Sequence, residues 1–335
     1  MIKNPTHRER MEACLSGRII DRPPVSLWRH FPVDDQFPDT LAAATVNFQT
    51  TFDFDFIKVS PSSSYCLKDW GSQDAWEGNP EGSRKYTNEV IQRFDDWNNL
   101  HKLNPKTGKL DDMLETLRLI HRQFAPHTPI MQSIFSPLSQ AKNLVGRDRL
   151  TYHLRACPEA VHMGLQTITD TTIDFLEEAR KAGIDGIFFA VQHAQYQILS
   201  EMEFETFGRF YDLQVLAAIQ DLWLNMAHIH GDTIMFDRVA DYPVQILNWH
   251  DRQTPPTLGE AQHRTEKTVC GGLKQWETMV LANPQAVTAE AIDAIRQTEG
   301  INFILGTGCV VPVTAPYGNI MAARTAVETF SAPMR

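Results

Sequence analysis

The sequence predicts one α/β domain over residues 1–335, a (β/α)8 barrel that opens on a short helix and is interrupted after its second strand. Two observations predict it. Short apolar runs alternate with helix-like stretches over about 300 residues, the pattern of a parallel sheet wrapped by helices. Polar residues suited to chemistry stand just past the carboxyl ends of several of those runs, where the loops of such a barrel build its site. A doubly wound sheet would not bring the ends of the first, fifth and eighth strands together, whereas a closed barrel does.

Each element has its own signal. Thr6 with Glu9 makes a capping box and Gly17 a stop, so 6–17 is expected as a leading helix. Pro23 and Pro24 break the chain, 25–28 is the first strand, and Arg29 and His30 follow it. Residues 41–51 carry a helix, and alternating aromatics make 52–60 the second strand, with Lys58 and Ser60 at its end. The rhythm breaks over 65–110, where Trp70, Gly71, Trp76, Gly78, Pro80, Gly82 and Tyr86 give the composition of an inserted hairpin and loop, suited to covering a site. A helix over 111–124, a third strand over 129–136, a short helix over 139–145 and a long one over 158–182 come next. The fourth strand, 186–192, ends at Gln192 and His193, and a helix over 203–220 leads to the fifth strand, 222–227. A short helix over 234–240 precedes the sixth strand, 243–249, which His250, Asp251 and Arg252 follow. A helix over 258–266, a seventh strand over 268–272, a helix over 288–298, an eighth strand over 303–306 and a helix over 319–330 complete the pattern.

Composition narrows the function. A hydrophobic content of 42% is ample for a large core. No apolar run reaches the ~18 residues of a membrane span and the first residues are polar, so neither a span nor a signal peptide is expected, and the protein is expected in the cytoplasm. Five cysteines, at 14, 66, 157, 270 and 309 with no Cys-x-x-Cys, argue against a disulfide framework. A net charge of −10 without basic runs speaks against nucleic acid or an anionic membrane as partner, which leaves a small-molecule substrate.

The candidate site centres on the end of the fifth strand. Side chains alternate along a strand, so His228 and His230 leave its end on one face, and Cys309 ends the eighth apolar run. Imidazole and thiolate suit zinc, and three protein ligands leave a fourth position open for chemistry. The competing reading makes the histidines hydrogen-bonded core residues and Cys309 a small hydrophobe. Arg29, His30, Lys58 and Gln192 are candidate substrate contacts, and His193, His250 and Asp251 candidate acid/base groups. Asp232, His250 and Asp251 are also placed to orient a ligating imidazole, Asp232 alternatively to cap the helix near Ile234, and His250 with Asp251 to add a ligand.

These residues resemble the uroporphyrinogen decarboxylase (URO-D) superfamily, which includes the methylcobamide:coenzyme M methyltransferases. Arg10, the strand from Pro24 to Arg29, Ser136 with Pro137, His193 with Ala194, the run from Leu199 to Phe207, Gly308 with Cys309, Pro316 and Asn319 match its landmarks in order and spacing over nearly the whole chain. The resemblance implies a TIM barrel. Of the decarboxylase's substrate-holding set only Arg29 is present; Val33, Ser60, Asn143, Gln192 and Thr307 stand where that branch has other residues. The methyltransferase branch is similar in having His-x-Cys-Gly and Gly-Cys as a zinc site that activates a thiol, and this chain has His228, His230 and Gly231 with Gly308 and Cys309. That resemblance implies zinc held by His228, His230 and Cys309, a methyl-corrinoid on a partner protein as donor, and a monomer or homodimer. The alternatives are a metal-free decarboxylase using Arg29 with His193 or His250, and a corrinoid- or porphyrin-binding protein without turnover.

Overall fold

Seven parallel strands form one curled sheet in the computed structural model, which describes residues 5–329: β1 (Ile57–Val59), β2 (Ile130–Phe135), β3 (Gly186–Val191), β4 (Met226–Ile229), β5 (Ile246–Trp249), β6 (Thr268–Leu273) and β7 (Phe303–Thr307). The strands are neighbours in chain order, and helices such as Gly108–Phe124, Pro158–Lys181 and Pro284–Thr298 connect them, a TIM-barrel-like arrangement. No helix among the described residues is long and apolar enough to cross a membrane.

The expected first strand is reduced to a single bridge, Val25 to Leu305. Pro23 and Pro24 have no N–H to donate, so the segment cannot build a longer ladder. Its few bonds nonetheless face both ends of the sheet. Leu305 N donates to Pro24 O at 2.9 Å and Ser26 N to Leu305 O at 3.0 Å on the β7 side. Asp55 N donates to Val25 O at 2.9 Å, and Ser26 Oγ to Phe56 O at 2.9 Å, just ahead of β1.

Other boundaries move for local reasons. The second strand begins at Ile57 instead of 52, because the preceding helix continues to Phe52 and closes on Asp53 in the left-handed region. The fifth begins at Met226 because Asn225 turns its amide back onto Ile219 O and Leu222 O and so ends the preceding turn. A helix over Arg147–Ala156, separated from Pro137–Val145 by Gly146 at φ 86°, was not expected. The capping box of Thr6 and Glu9 is present, and the last helix, Tyr317–Ala326, is shorter than expected; Phe330 lies outside the described residues.

Alternation along the strands sorts the sheet interior from its exterior. One residue from each of six strands, Met131, Phe188, Met226, Ile246, Cys270 and Ile304, joins Phe56 and Trp28 in an apolar cluster of its own, apart from the larger core under the helices. Two residues further along the same inward rows come Lys58, Ser133, Ala190, His228 and Asn248, and two further His230 and His250. The rows that start at Phe56, Met226 and Ile246 thus run from an apolar foot to a polar end.

Asp55 fixes the segment that meets both ends of this sheet. Its fully buried carboxylate accepts from Val25 N at 2.7 Å, Arg22 Nη1 at 2.7 Å and Arg10 Nη1 at 2.6 Å. Burial pushes its pKa up, but Arg22 and Arg10 outweigh burial and hold it below the usual carboxylate range. A depressed acid stabilises the fold above its unfolded pKa of ~3.9 and loses that contribution as pH falls through the folded value. Asp55→Ala is expected to cost about 3–5 kcal/mol at pH 7, since it leaves the buried Arg22 guanidinium without a carboxylate and Arg10 with Asp21 alone. Urea unfolding should also show the loss shrinking as pH drops below about 4.

Candidate metal centre

The centre is built around Asn248, a fully buried amide in the middle of β5. Its Nδ2 donates to Cys270 O at 2.9 Å and Thr307 O at 3.0 Å, and its Oδ1 lies 2.7 Å from His228 Nδ1. Carbonyls only accept, so the NH₂ must face them, the oxygen must face His228, and Nδ1 of His228 must carry the proton. Nε2 of His228 is then a lone pair, and it is buried without a hydrogen-bond partner. Burial first, then the neighbouring His230 and His250, push His228 well below its ordinary pKa, so the ring is held neutral and able to act as a ligand.

That lone pair belongs to a cluster. One ligand atom each from His228, His230, His250 and Cys309 lies within 4.8 Å of the others. Zinc stands about 2.0–2.3 Å from nitrogen and sulfur, so the side chains need draw in by only on the order of an ångström to share one ion. Burial pushes the Cys309 thiol up to about 11, so the thiol keeps its proton at neutral pH unless a metal takes its place. The set fits a soft or borderline transition ion such as zinc, and three of its members suffice to hold one with a position left for substrate. Of the two roles the sequence allows His250, acid/base group or added ligand, the structure favours the second by bringing it within ligand distance of the others.

The cluster adjoins a cavity of about 310 Å3 lined by Trp28, Phe135, Phe188 and Val310 with His228, His230 and Cys309. Of the candidate substrate contacts, His30, Lys58 and Gln192 line it too. Lys58 donates to Ser60 Oγ at 3.1 Å and lies 4.5 Å from the Phe188 ring centre; burial pushes its pKa down to about 7, against the pull of Cys309. Burial, helped by Lys58, takes His30 down to about 3. An antiparallel hairpin, Asp74–Ala75 with Lys85–Tyr86, roofs the cavity. Its turn reaches across the mouth: Glu81 Oε1 accepts from Gln275 Nε2 at 2.9 Å and Trp276 Nε1 at 3.2 Å, and Pro80 O from Val313 N at 2.7 Å.

The remaining candidates sit elsewhere. His193 and Gln192 line a second cavity of about 750 Å3, which also reaches His230, His250 and Asp232. Arg29 lies over the Phe31 ring, 5.5 Å from its centre, and lines neither cavity. Asp251 turns its carboxylate away to accept from Gly272 N at 3.0 Å, and burial pushes it up to about 7. Asp232 does not cap the next helix, whose N-cap is Met235; its carbonyl accepts from the Thr254 hydroxyl. Sequence reasoning missed Asn248 and Glu81. Asn248 had a signal, a lone amide in an apolar strand, which must be hydrogen-bonded when buried; Glu81 had none, because its role depends on where a loop lands.

Fold and site together define a barrel-like α/β protein with a cluster of three histidines and a cysteine that could hold a metal ion at the carboxyl ends of its strands. Residues 6–330 match the family model described as uroporphyrinogen decarboxylase (URO-D), and the chain belongs to that family. A comparison with curated proteins gives no match. Among solved structures, a methyltransferase from Methanosarcina mazei superposes with a TM-score of 0.82 at 17% identity, covering 97% of this chain and 99% of that one. A B12-independent methionine synthase from Shewanella sp. W3-18-1 in complex with selenomethionine gives 0.53 at 12% identity, covering 92% and 95%. A putative vitamin-B12 independent methionine synthase from Listeria monocytogenes gives 0.52 at 11%, covering 87% and 85%. At these identities the likeness establishes the shared fold.

Removing the amide that orients His228 should weaken metal binding without touching a ligand. Asn248→Leu is expected to lower zinc affinity about 10–100-fold, read by competition with a chelator dye. Unchanged affinity in a folded variant would show that packing alone orients the ring.

Proposed function

We propose that the chain is a zinc-dependent methyltransferase on a closed (β/α)8 barrel, with segment 24–26 as the eighth stave and the hairpin region as an insert over the site. The observation that carries this reading is the convergence of His228, His230, His250 and Cys309 on one point beside a roofed cavity, with a buried Nε2 lone pair left without a hydrogen-bond partner. His228, His230 and Cys309 would hold the ion, with His250 as a further donor. Zinc bound there supplies Lewis acidity that lowers the pKa of a thiol nucleophile.

The chain's own residues do the rest. Trp28, Phe135, Phe188 and Val310 make an apolar, water-poor wall, and a volume of about 310 Å3 suits a small acceptor. Lys58, Gln192 and the Ser63 and Ser133 hydroxyls offer the polar contacts that orient it. The donor is a methyl-corrinoid carried by a partner protein. The new sulfur–carbon bond forms as the donor–methyl bond breaks in line; the electron pair leaves with the donor, and the thiol proton goes to solvent.

Decarboxylation of a polycarboxylated tetrapyrrole has less support. It needs several free cations around the substrate, yet Arg84 in the cavity wall is held by Asp74 at 3.0 Å and Asp35 at 3.5 Å, and Arg29 lines neither cavity. A metal-free site would also leave the His228 lone pair buried and unused.

Untagged protein is expected to carry about one zinc per chain by elemental analysis, and Cys309→Ser and His228→Ala to lose it. Small thiols should demethylate free methylcobalamin in the presence of the wild type, with the activity lost on chelation and restored by zinc. Wild type that takes up no zinc, or variants that keep it, would end this reading.

A further inference from the structure

The two cavities that flank the cluster differ in a way that assigns them different ligands. The four ligand side chains are divided between them. His228 and Cys309 line only the roofed cavity, His250 only the larger one, and His230 both. The roofed cavity has Trp28, Phe135, Phe188 and Val310 in its wall beside polar groups such as Lys58, Ser63 and Ser133, and the latched hairpin covers it. The larger one, about 750 Å3, is lined by Gln192, Gln195, Gln197, Thr151 and His193, and Asp148, Arg155, Gln197 and Asp232 around it are exposed.

Size and exposure to solvent then sort the two substrates. A cavity of about 310 Å3 is at the small end of ligand sites and admits no macrocycle. Of these two cavities, the larger, solvent-facing one therefore has the room for a bulky donor to reach the cluster. Side-chain amides there are suited to a macrocycle fringed with carboxamides, because each amide both donates and accepts. In-line displacement also requires nucleophile and leaving group on opposite sides of the methyl carbon, which one shared pocket would not impose and two chambers meeting at His230 do.

We propose that the site is two-chambered: the roofed cavity takes the small thiol acceptor, and the polar cavity beside His193, His230 and His250 takes the face of the amide-fringed methyl donor. This rests on the methyl-transfer reading, and it adds a donor site that the ligand cluster alone does not locate.

Filling each chamber separately tests it by binding, without turnover. Thr151, on the helix Arg147–Ala156, lines only the polar chamber, and Ser63 only the roofed one. With zinc-loaded full-length protein, Thr151→Trp is expected to weaken free methylcobalamin, followed by its visible spectrum, about tenfold or more. It should leave 3-mercaptopropionate binding, followed by calorimetry, within about twofold. Ser63→Trp is expected to do the reverse. Gln197→Trp and Ser83→Trp are second fillings of the same two chambers, so that one misfolded variant does not decide the outcome. Fillings that affect both ligands alike, a reversed pattern, or no methylcobalamin binding to the wild type would overturn the assignment. Thiol binding that survives zinc removal would instead sink the methyl-transfer reading, while the methylcobalamin titrations would still judge the donor chamber.

Discussion

The amide of Asn248 is the constraint on which the site depends. Its two N–H groups tie β5 to Cys270 O on β6 and to Thr307 O on β7, and its oxygen takes the Nδ1 proton of His228 on β4. One side chain therefore sets the spacing of four strand ends and the tautomer of a ligand. A leucine there would fill the space but leave two carbonyls unpaired and the imidazole free to choose its proton. An aspartate would set a negative oxygen against those same carbonyls. The position is chemically narrow because donors are needed on one side and an acceptor on the other.

The sheet supplies what Asn248 cannot, the convergence of residues far apart in sequence. Register places Ala190, His228, Asn248 and Cys270 level across β3 to β6, so the inward row above them brings His230 and His250 side by side, their rings 5.4 Å apart. The apolar side chains of Met131, Phe188, Met226 and Ile246 beneath keep that layer from sinking into the barrel. His228 stacks on Phe188, ring centres 5.1 Å apart, which removes its last rotational freedom. Rigid strands thus hold the donors, while the groups above them, Glu81 and Lys58, come from a hairpin and a strand end.

How much of this was legible in the sequence follows from the range of each signal. Alternation and helical periodicity are local, so most elements, and the shared face of His228 and His230, could be read directly. Boundaries failed where a side chain overrode propensity, as when Asn225 closes the turn before β4 or when prolines thin the first strand to a bridge. Adjacent numbering misled at His250 and Asp251. They are consecutive, and a strand end sends consecutive side chains to opposite faces, so one joins the cluster while the other caps Gly272 N. The hairpin's composition announced an irregular segment, but its latch to Gln275 and Trp276, nearly two hundred residues on, has no local signature.

The donor set also constrains the electrostatics of the whole cavity. Three imidazoles and one thiolate cancel one unit of a divalent ion's charge, whereas an additional thiolate in place of His230 would cancel two. With such an ion bound, the excess positive charge would sharpen Lewis acidity and make a bound sulfur easier to deprotonate but slower to attack. Lys58, which burial brings down to about 7, has no carboxylate within ion-pair distance among the described residues, so its protonated form would add to that excess on one side. On the other side Glu81 acts in the opposite sense: burial lowers His250, and Asp232 and Glu81 work against that; burial raises Cys309, and Glu81 raises it further. Glu81 arrives on a hairpin held by two side-chain donors and one backbone bond, so the latch that roofs the cavity also sets a carboxylate near the cluster. A closed roof therefore does two things at once: it excludes water, which strengthens every interaction beneath it, and it brings in the negative charge that tempers the excess.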